Sequence, residues 1–84
     1  MTIKTKIVCL LYELKEHYCL LDCETDFETT QIQTEDVIFI CYFQTFKVLA
    51  LLAKEQIEKY NIEALVNKLH IQIEEAIINH YTRQ

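Results

Sequence analysis

Three residues in the first third of the chain, His17, Cys19 and Cys23, have side chains that bind metal ions or react with oxidants. Cys19 and Cys23 are four positions apart, so their thiols share one face if the segment is helical. A zinc site needs four tetrahedral ligands, and its usual thiolate pair is spaced Cys-x2-Cys. Because no second pair in the sequence completes the set, we predict no metal site and no cofactor. A metal- or redox-responsive module that uses Cys19 and Cys23 is the alternative function.

Two pairs of a carboxylate and an imidazole, Glu13 with His17 and His70 with Glu74, are each one helical turn apart. Such pairs can transfer protons. Neither pair is accompanied by a nucleophile or an anion-binding loop, so we interpret them as solvent-exposed pairs on polar helix faces. His80 falls on an apolar stripe and is expected in a core or an interface. The sequence therefore predicts a protein that is not an enzyme and has no catalytic residues.

The acidic segment of residues 22–36 is the candidate for binding a partner. The chain has a net charge of −5, and this segment contributes −6, so the remaining residues sum to +1. Apolar Phe27 and Ile32 lie among its carboxylates. Such a surface would complement a basic protein surface and speed its capture, although a solvated loop is the plainer explanation. We predict that the partner-binding residues are Asp22, Glu24, Asp26, Phe27 and Glu28.

The charge and hydropathy of the whole chain argue against other partners. The chain is acidic and its eight basic residues are dispersed, so we expect no nucleic-acid binding, which depends on phosphate contacts. The longest apolar stretch, residues 37–53, is interrupted by polar residues and shorter than the roughly 20 residues of a membrane-spanning helix. The chain has four cysteines, but it lacks the glycine and proline that a loop-rich disulfide scaffold uses. We therefore expect four free thiols in the reducing cytoplasm.

The elements that must position these residues are indicated by the composition. The 84 residues suffice for one domain, and they include no glycine and no proline. Without glycine there is no ready residue for a positive φ, which favours long uninterrupted helices. We therefore predict an all-α protein, a small three-helix antiparallel bundle over residues 1–84. Its helices would span about 3–21, 35–60 and 62–81, with an acidic connection at about 22–34.

Apolar residues at alternating steps of four and three support each helix. The first stripe begins at Ile3 and the third at Ile62. The second is the most regular, and Thr34 before it is suited to cap a helix. Asn61 is the expected break after it, although one continuous helix over residues 35–81 stays open. The second stripe comprises Phe39, Phe43, Phe46, Ala50, Ala53, Ile57 and Tyr60.

The start of the predicted second helix, residues 37–43, has no polar face. A helix that is apolar on all sides must be covered on all sides. We therefore expect a symmetric homodimer in which this turn packs against its twin. The residues predicted for the core or for self-association are Val37, Ile38, Phe39, Ile40, Phe43 and Phe46.

The alternative fold is a small α+β protein with strands near residues 3–12 and 37–43. The run Val-Ile-Phe-Ile-Cys-Tyr-Phe at residues 37–43 is rich in β-branched and aromatic residues, which favour strands.

No motif in the chain is specific enough to name a family. The apolar surplus and the acidic segment together predict a small non-enzymatic protein-interaction module. It would act in the cytoplasm as a regulator, adaptor or inhibitor by binding another protein with a basic surface, and it would bind neither nucleic acid nor a membrane.

Overall fold

The computed structural model describes residues 1–25 and 36–83. The strands form one antiparallel sheet in the order β1-β2-β3, and the helices pack on one side of it. The protein therefore has a small α+β fold. In chain order its elements are helix α1 (Ile3–Tyr18), strands β1 (Asp22–Thr25), β2 (Asp36–Tyr42) and β3 (Lys47–Ala53), and helices α2 (Lys54–Lys59) and α3 (Ile62–Thr82).

The prediction of an all-α bundle is wrong, and the error lies in the predicted helix over residues 35–60. Residues 36–42 and 47–53 form strands, and only the short α2 is helical in this stretch. The apolar residues of this stretch have the helical spacing of four and three, but their burial follows a period of two, since every other residue of β2 and β3 is buried. The two strands pair along their whole length. This pairing satisfies their backbone groups and suits their β-branched and aromatic side chains.

The alternative α+β prediction is right for one of its two strands. Residues 37–43 lie in β2 and the position after it, whereas residues 3–12 lie within α1. The predicted acidic connection begins with β1, and its remainder, including Thr34, lies outside the described residues. The change to acidic composition at Asp22 therefore coincides with the start of a strand and not of a connection.

Two tight turns form without glycine. Between β2 and β3 the Phe43 N–H donates to the Phe46 carbonyl oxygen at 2.9 Å, and the two residues between them are exposed. α1 ends at Cys19, whose φ of 53° and ψ of 46° are left-handed. Among the described residues Cys19 alone has a positive φ, a conformation that costs a non-glycine residue about 1–2 kcal/mol. The absence of glycine therefore does not require uninterrupted helices.

One core lies between the sheet and the two long helices. Its buried side chains come from every element except β1, whose Cys23 packs against the core and is half-buried. Because the helices cover one side of the sheet only, alternate residues of β2 and β3 enter the core and the residues between them face away from it. The buried residues are Ile7, Leu10, Leu14, Leu20, Val37, Phe39, Cys41, Val48, Ala50, Leu52, Ile57, Leu65, Leu69 and Ile73.

Polar contacts fix the helices over the core. Asn61 caps α3, because its side-chain oxygen accepts a hydrogen bond from the backbone N–H three residues later at 2.9 Å. The Lys6 ammonium donates to the carbonyl oxygens of Ile57, Glu58 and Tyr60 at 2.8, 3.2 and 2.9 Å. It thereby satisfies carbonyl groups at the C-terminal end of α2. This contact ties α1 to the segment that precedes α3.

Candidate interaction surface

The side of the sheet turned away from the helices forms a continuous surface, which we call the open face. The strand register places Asp22, Tyr42 and Lys47 opposite one another in one row across the three strands. Residues two positions further along each strand form the next row on the same face. The open face consists of Asp22, Glu24, Asp36, Ile38, Ile40, Tyr42, Lys47, Leu49, Leu51 and Ala53.

Two leucines at the centre of the open face are exposed to solvent. Leu49 is 56% exposed and Leu51 is 47% exposed. They lie opposite Ile40 and Ile38 of β2, which are half-buried, so the four side chains form one apolar patch. Apolar patches that are framed by polar residues are typical of protein-binding surfaces. The open face therefore has the composition of an interaction site.

Carboxylates border this apolar patch. Asp22 and Glu24 lie along β1 and Asp36 begins β2, whereas Lys47 is the basic residue of the open face. Glu24 accepts a hydrogen bond from the Tyr42 hydroxyl at 2.6 Å, which raises the pKa of Tyr42. Asp22 accepts one from the N–H of the next residue at 2.8 Å. Counted over the residues that the structure describes, three carboxylates against one ammonium give the border a net negative charge.

The outer edge of the sheet is closed where α3 passes it. The Gln72 side chain accepts a hydrogen bond from the Leu51 N–H at 2.8 Å and donates one to the Leu51 carbonyl oxygen at 2.7 Å. Gln72 thus occupies the backbone groups that an added strand would use on β3. A partner at this position must therefore bind the face of the sheet and not extend it.

The structure describes two of the five predicted partner-binding residues. Asp22 and Glu24 both lie on the open face, in β1. Asp26, Phe27 and Glu28 lie outside the described residues. The acidic segment thus reaches the open face at both of its ends, through Asp22 and Glu24 and through Asp36, and the first of these ends is a strand and not the predicted connection.

The residues predicted for the core or for self-association divide between the two sides of β2. Val37 and Phe39 are buried in the core, whereas Ile38 and Ile40 lie on the open face. The expectation of a helix apolar on all sides is corrected accordingly. A strand that is apolar at every position has one side covered by its own helices and leaves the other side for a separate contact.

Phe43 and Phe46, the last two predicted core residues, form an aromatic cluster at the hairpin. Their rings stack with centroids 4.8 Å apart, and Phe46 also stacks on His80 of α3 at 4.0 Å. Tyr81 meets Phe46 edge-on at 6.0 Å. The cluster attaches the hairpin to the end of α3 and gives His80 a packing role.

Cys19 and Cys23 do not share a helix. Cys19 ends α1 and is exposed, whereas Cys23 lies in β1 and is half-buried. Cys23 faces Cys41, its register partner in β2, with the two Sγ atoms 3.7 Å apart. The hydrogen bond between these thiols raises the pKa of Cys23 and lowers that of Cys41, while burial raises both. Spacing in the sequence misses this pair because its members are 18 positions apart.

The predicted pair His70 and Glu74 is joined by Tyr18 of α1. The Tyr18 hydroxyl donates to Glu74 Oε1 at 3.1 Å and lies 2.8 Å from His70 Nδ1. Since the hydroxyl has one proton, His70 Nδ1 carries the proton of the second bond. Burial and the bond to Glu74 raise the pKa of Tyr18, so the phenol stays protonated in neutral solution. The cluster therefore joins α1 to α3 through fixed hydrogen bonds.

The surroundings of His70 favour the neutral form of its imidazole. Burial and the neighbouring His17 lower the pKa of His70, and the two ring centroids are 4.4 Å apart. Glu13, the predicted partner of His17, acts on His70 in the opposite direction. The sequence pairs are thus parts of one contact between α1 and α3.

In the part of the chain that the structure describes, no three His, Cys, Asp or Glu side chains converge to hold a metal ion. The helices within these residues do not combine the length and the apolarity needed to cross a membrane. Comparison of the chain with protein-family models, with curated proteins and with solved structures finds no match.

Proposed function

We propose that the protein is a non-enzymatic interaction module that regulates another protein in the cytoplasm by binding it through the open face. One observation carries the proposal: Leu49 and Leu51 stand 56% and 47% exposed in the middle of a sheet face that is bordered by carboxylates. Burying a fully exposed leucine side chain contributes roughly 1.5–3 kcal/mol of favourable free energy, and about half of each of these two side chains is left to be covered. The binding energy would therefore come from the leucines.

The chemistry of the border selects the partner. Asp22, Glu24 and Asp36 outnumber Lys47, and the whole chain has a net charge of −5. Charged groups at the rim of an interface speed association and exclude partners of the same sign. The partner is therefore a protein with an apolar patch bordered by lysines and arginines.

A second copy of the chain is the competing occupant of the open face, and it would form the homodimer that the apolar residues 37–43 predict. Asp22 and Lys47 lie at opposite edges of the same row. A two-fold axis parallel to the strands would place Asp22 of one copy opposite Lys47 of the other. Two copies also bring together two surfaces with the same surplus of carboxylates, so like-charge repulsion opposes the homodimer and favours a basic partner.

The test compares two exposed apolar residues on different surfaces. Tagged wild-type chain, Leu49→Gln and the control Ile71→Gln, whose side chain is 68% exposed on α3, are used to capture proteins from a lysate of the native cell. The expected partner is retained by wild-type chain and by Ile71→Gln, and it binds Leu49→Gln about tenfold more weakly in purified form. Its affinity should also fall as salt is raised from about 0.05 M to about 0.5 M.

Two results would contradict the proposal. A captured protein that binds Leu49→Gln as tightly as wild type does not use the open face. In sedimentation equilibrium of the isolated chain we expect a monomer. A dimer that Asp22→Lys disrupts, and that the double variant with Lys47→Asp restores, would assign the open face to a second copy instead.

A further inference from the structure

The pairing of Cys23 with Cys41 is a consequence of strand register. The two residues are direct partners in the antiparallel ladder of β1 and β2, and their Sγ atoms are 3.7 Å apart. Directly opposed residues in such a ladder have Cα atoms about 4.5–5.5 Å apart. A disulfide requires about 4.4–6.8 Å between Cα atoms. The backbone therefore already has the separation that a disulfide needs, and only side-chain rotation has to bring the sulfurs together.

The two thiols differ in access to solvent. Cys41 is 0% exposed within the core, whereas Cys23 is half-buried on the edge strand. Of the two residues, Cys23 is therefore the more accessible to a small oxidant. The hydrogen bond between the sulfurs favours the thiolate on Cys41 once one proton is lost. Transfer of the remaining proton from Cys23 to Cys41 along this hydrogen bond places the negative charge on Cys23, the more accessible residue, where it can attack an oxidant.

We propose that Cys23 and Cys41 are a reversible oxidation site that forms an internal disulfide with hydrogen peroxide. The Cys23 thiolate attacks one peroxide oxygen and breaks the O–O bond. The hydroxide that leaves takes up the proton that was lost when the thiolate formed, and becomes water. The Cys41 sulfur then attacks the resulting sulfenic acid, and its proton leaves with the hydroxyl group as a second water. Two thiols are oxidised to one disulfide while one peroxide is reduced to two waters.

The disulfide would join the edge strand covalently to the centre of the sheet. β1 carries Asp22 and Glu24 on the opposite side, so oxidation would fix part of the acidic border of the open face against β2. The oxidation site itself does not depend on the proposed function, because it requires the thiol pair alone.

The test maps the bond in the full-length chain. Reduced protein is treated with hydrogen peroxide, quenched, unfolded and alkylated with iodoacetamide, then cleaved before aspartate. Cleavage before Asp22, Asp26 and Asp36 separates Cys23 from Cys41, and both from the fragment that holds Cys9 and Cys19. We expect fragments 22–25 and 36–84 to be linked, Cys9 and Cys19 to be alkylated, and dithiothreitol to restore four alkylated cysteines.

Two variants complete the test. Cys19→Ser changes an exposed thiol outside the pair and should leave the linked fragments unchanged. Cys23→Ser changes a half-buried residue, which avoids disturbing the core at Cys41, and should abolish the link. The inference is overturned if Cys23 and Cys41 stay fully alkylatable after peroxide has oxidised Cys19, or if Cys23 is found bonded to Cys19 or to a second chain.

Discussion

The two sides of the sheet are built from the same strands, yet one is covered and the other is open. In β3 the side chains of Val48, Ala50 and Leu52 enter the core, while Leu49 and Leu51 between them are exposed. Leu51 and Leu52 are adjacent and identical in chemistry, but they are 47% and 1% exposed. Residue type alone therefore does not decide burial here; the position of α1 and α3 on one side of the sheet decides it.

The largest expected effect separates these two leucines. Leu52→Ala should lower the free energy of unfolding by about 2–5 kcal/mol, because it leaves a cavity in the core. Leu51→Ala should change it by less than about 1 kcal/mol, because the side chain is partly in water already. Urea unfolding followed by circular dichroism measures both. Equal losses in the two variants would mean that the open face is covered in solution.

An intermediate effect is expected where α3 closes the edge of β3. Gln72→Ala removes two hydrogen bonds to the backbone of Leu51, and we expect a loss of about 1 kcal/mol. Asn67 is exposed on the same helix, so Asn67→Ala serves as the control and should lower the free energy of unfolding by less. Amide hydrogen exchange by NMR should be faster at Leu51 in the first variant only. Unchanged exchange there would show that Gln72 does not protect the edge.

The smallest expected effect is a change of stability with pH, and it arises at His70, where α1 and α3 meet on the covered side of the sheet. Because the folded protein lowers the pKa of His70 from 6.5, folded chains bind this proton less readily than unfolded ones. Neutral His70 therefore contributes to the free energy of unfolding. This contribution is complete above about pH 6.5 and is lost as the pH falls through the lowered pKa of the folded protein. His17→Gln removes the neighbouring imidazole, so the NMR titration midpoint of His70 should rise.

Stability measured between pH 7 and pH 5 completes this comparison. His70→Gln should lose less stability between pH 7 and pH 5 than the wild type, since the imidazole that takes up the proton is gone. A titration midpoint of His70 above 6.5 in the wild type would mean that folding raises this pKa, and it would contradict the lowering by burial and by His17.

Local signals in the sequence describe the two ends of the chain well. The apolar stripe that begins at Ile3 lies along α1, and the stripe that begins at Ile62 lies along α3 after the Asn61 cap. Helix periodicity and capping act within a few residues, so they can be seen without knowledge of the fold. The charge of Asp22 and Glu24 also predicts that they lie at the surface, and both are exposed in β1, whereas their role in partner binding stays a prediction.

The middle of the chain could not be assigned in this way. Its outer residues Leu49 and Leu51 are as apolar as the inner ones, so the alternation that marks a half-buried strand is hidden. The same stretch also satisfies a helical spacing from Phe39 to Tyr60. Pairing between β2 and β3 depends on a turn at residues 43–46, and that turn carries neither glycine nor proline as a signal.

The sequence by itself determined the charge, the thiol content, the absence of glycine and the two long amphipathic helices, because these follow from composition and from contacts between near neighbours. Only the tertiary structure decided which side of the sheet is open and that Cys23 meets Cys41 and not Cys19. Both outcomes depend on strand register, which brings together residues that are distant in the chain and sends alternate side chains to opposite sides.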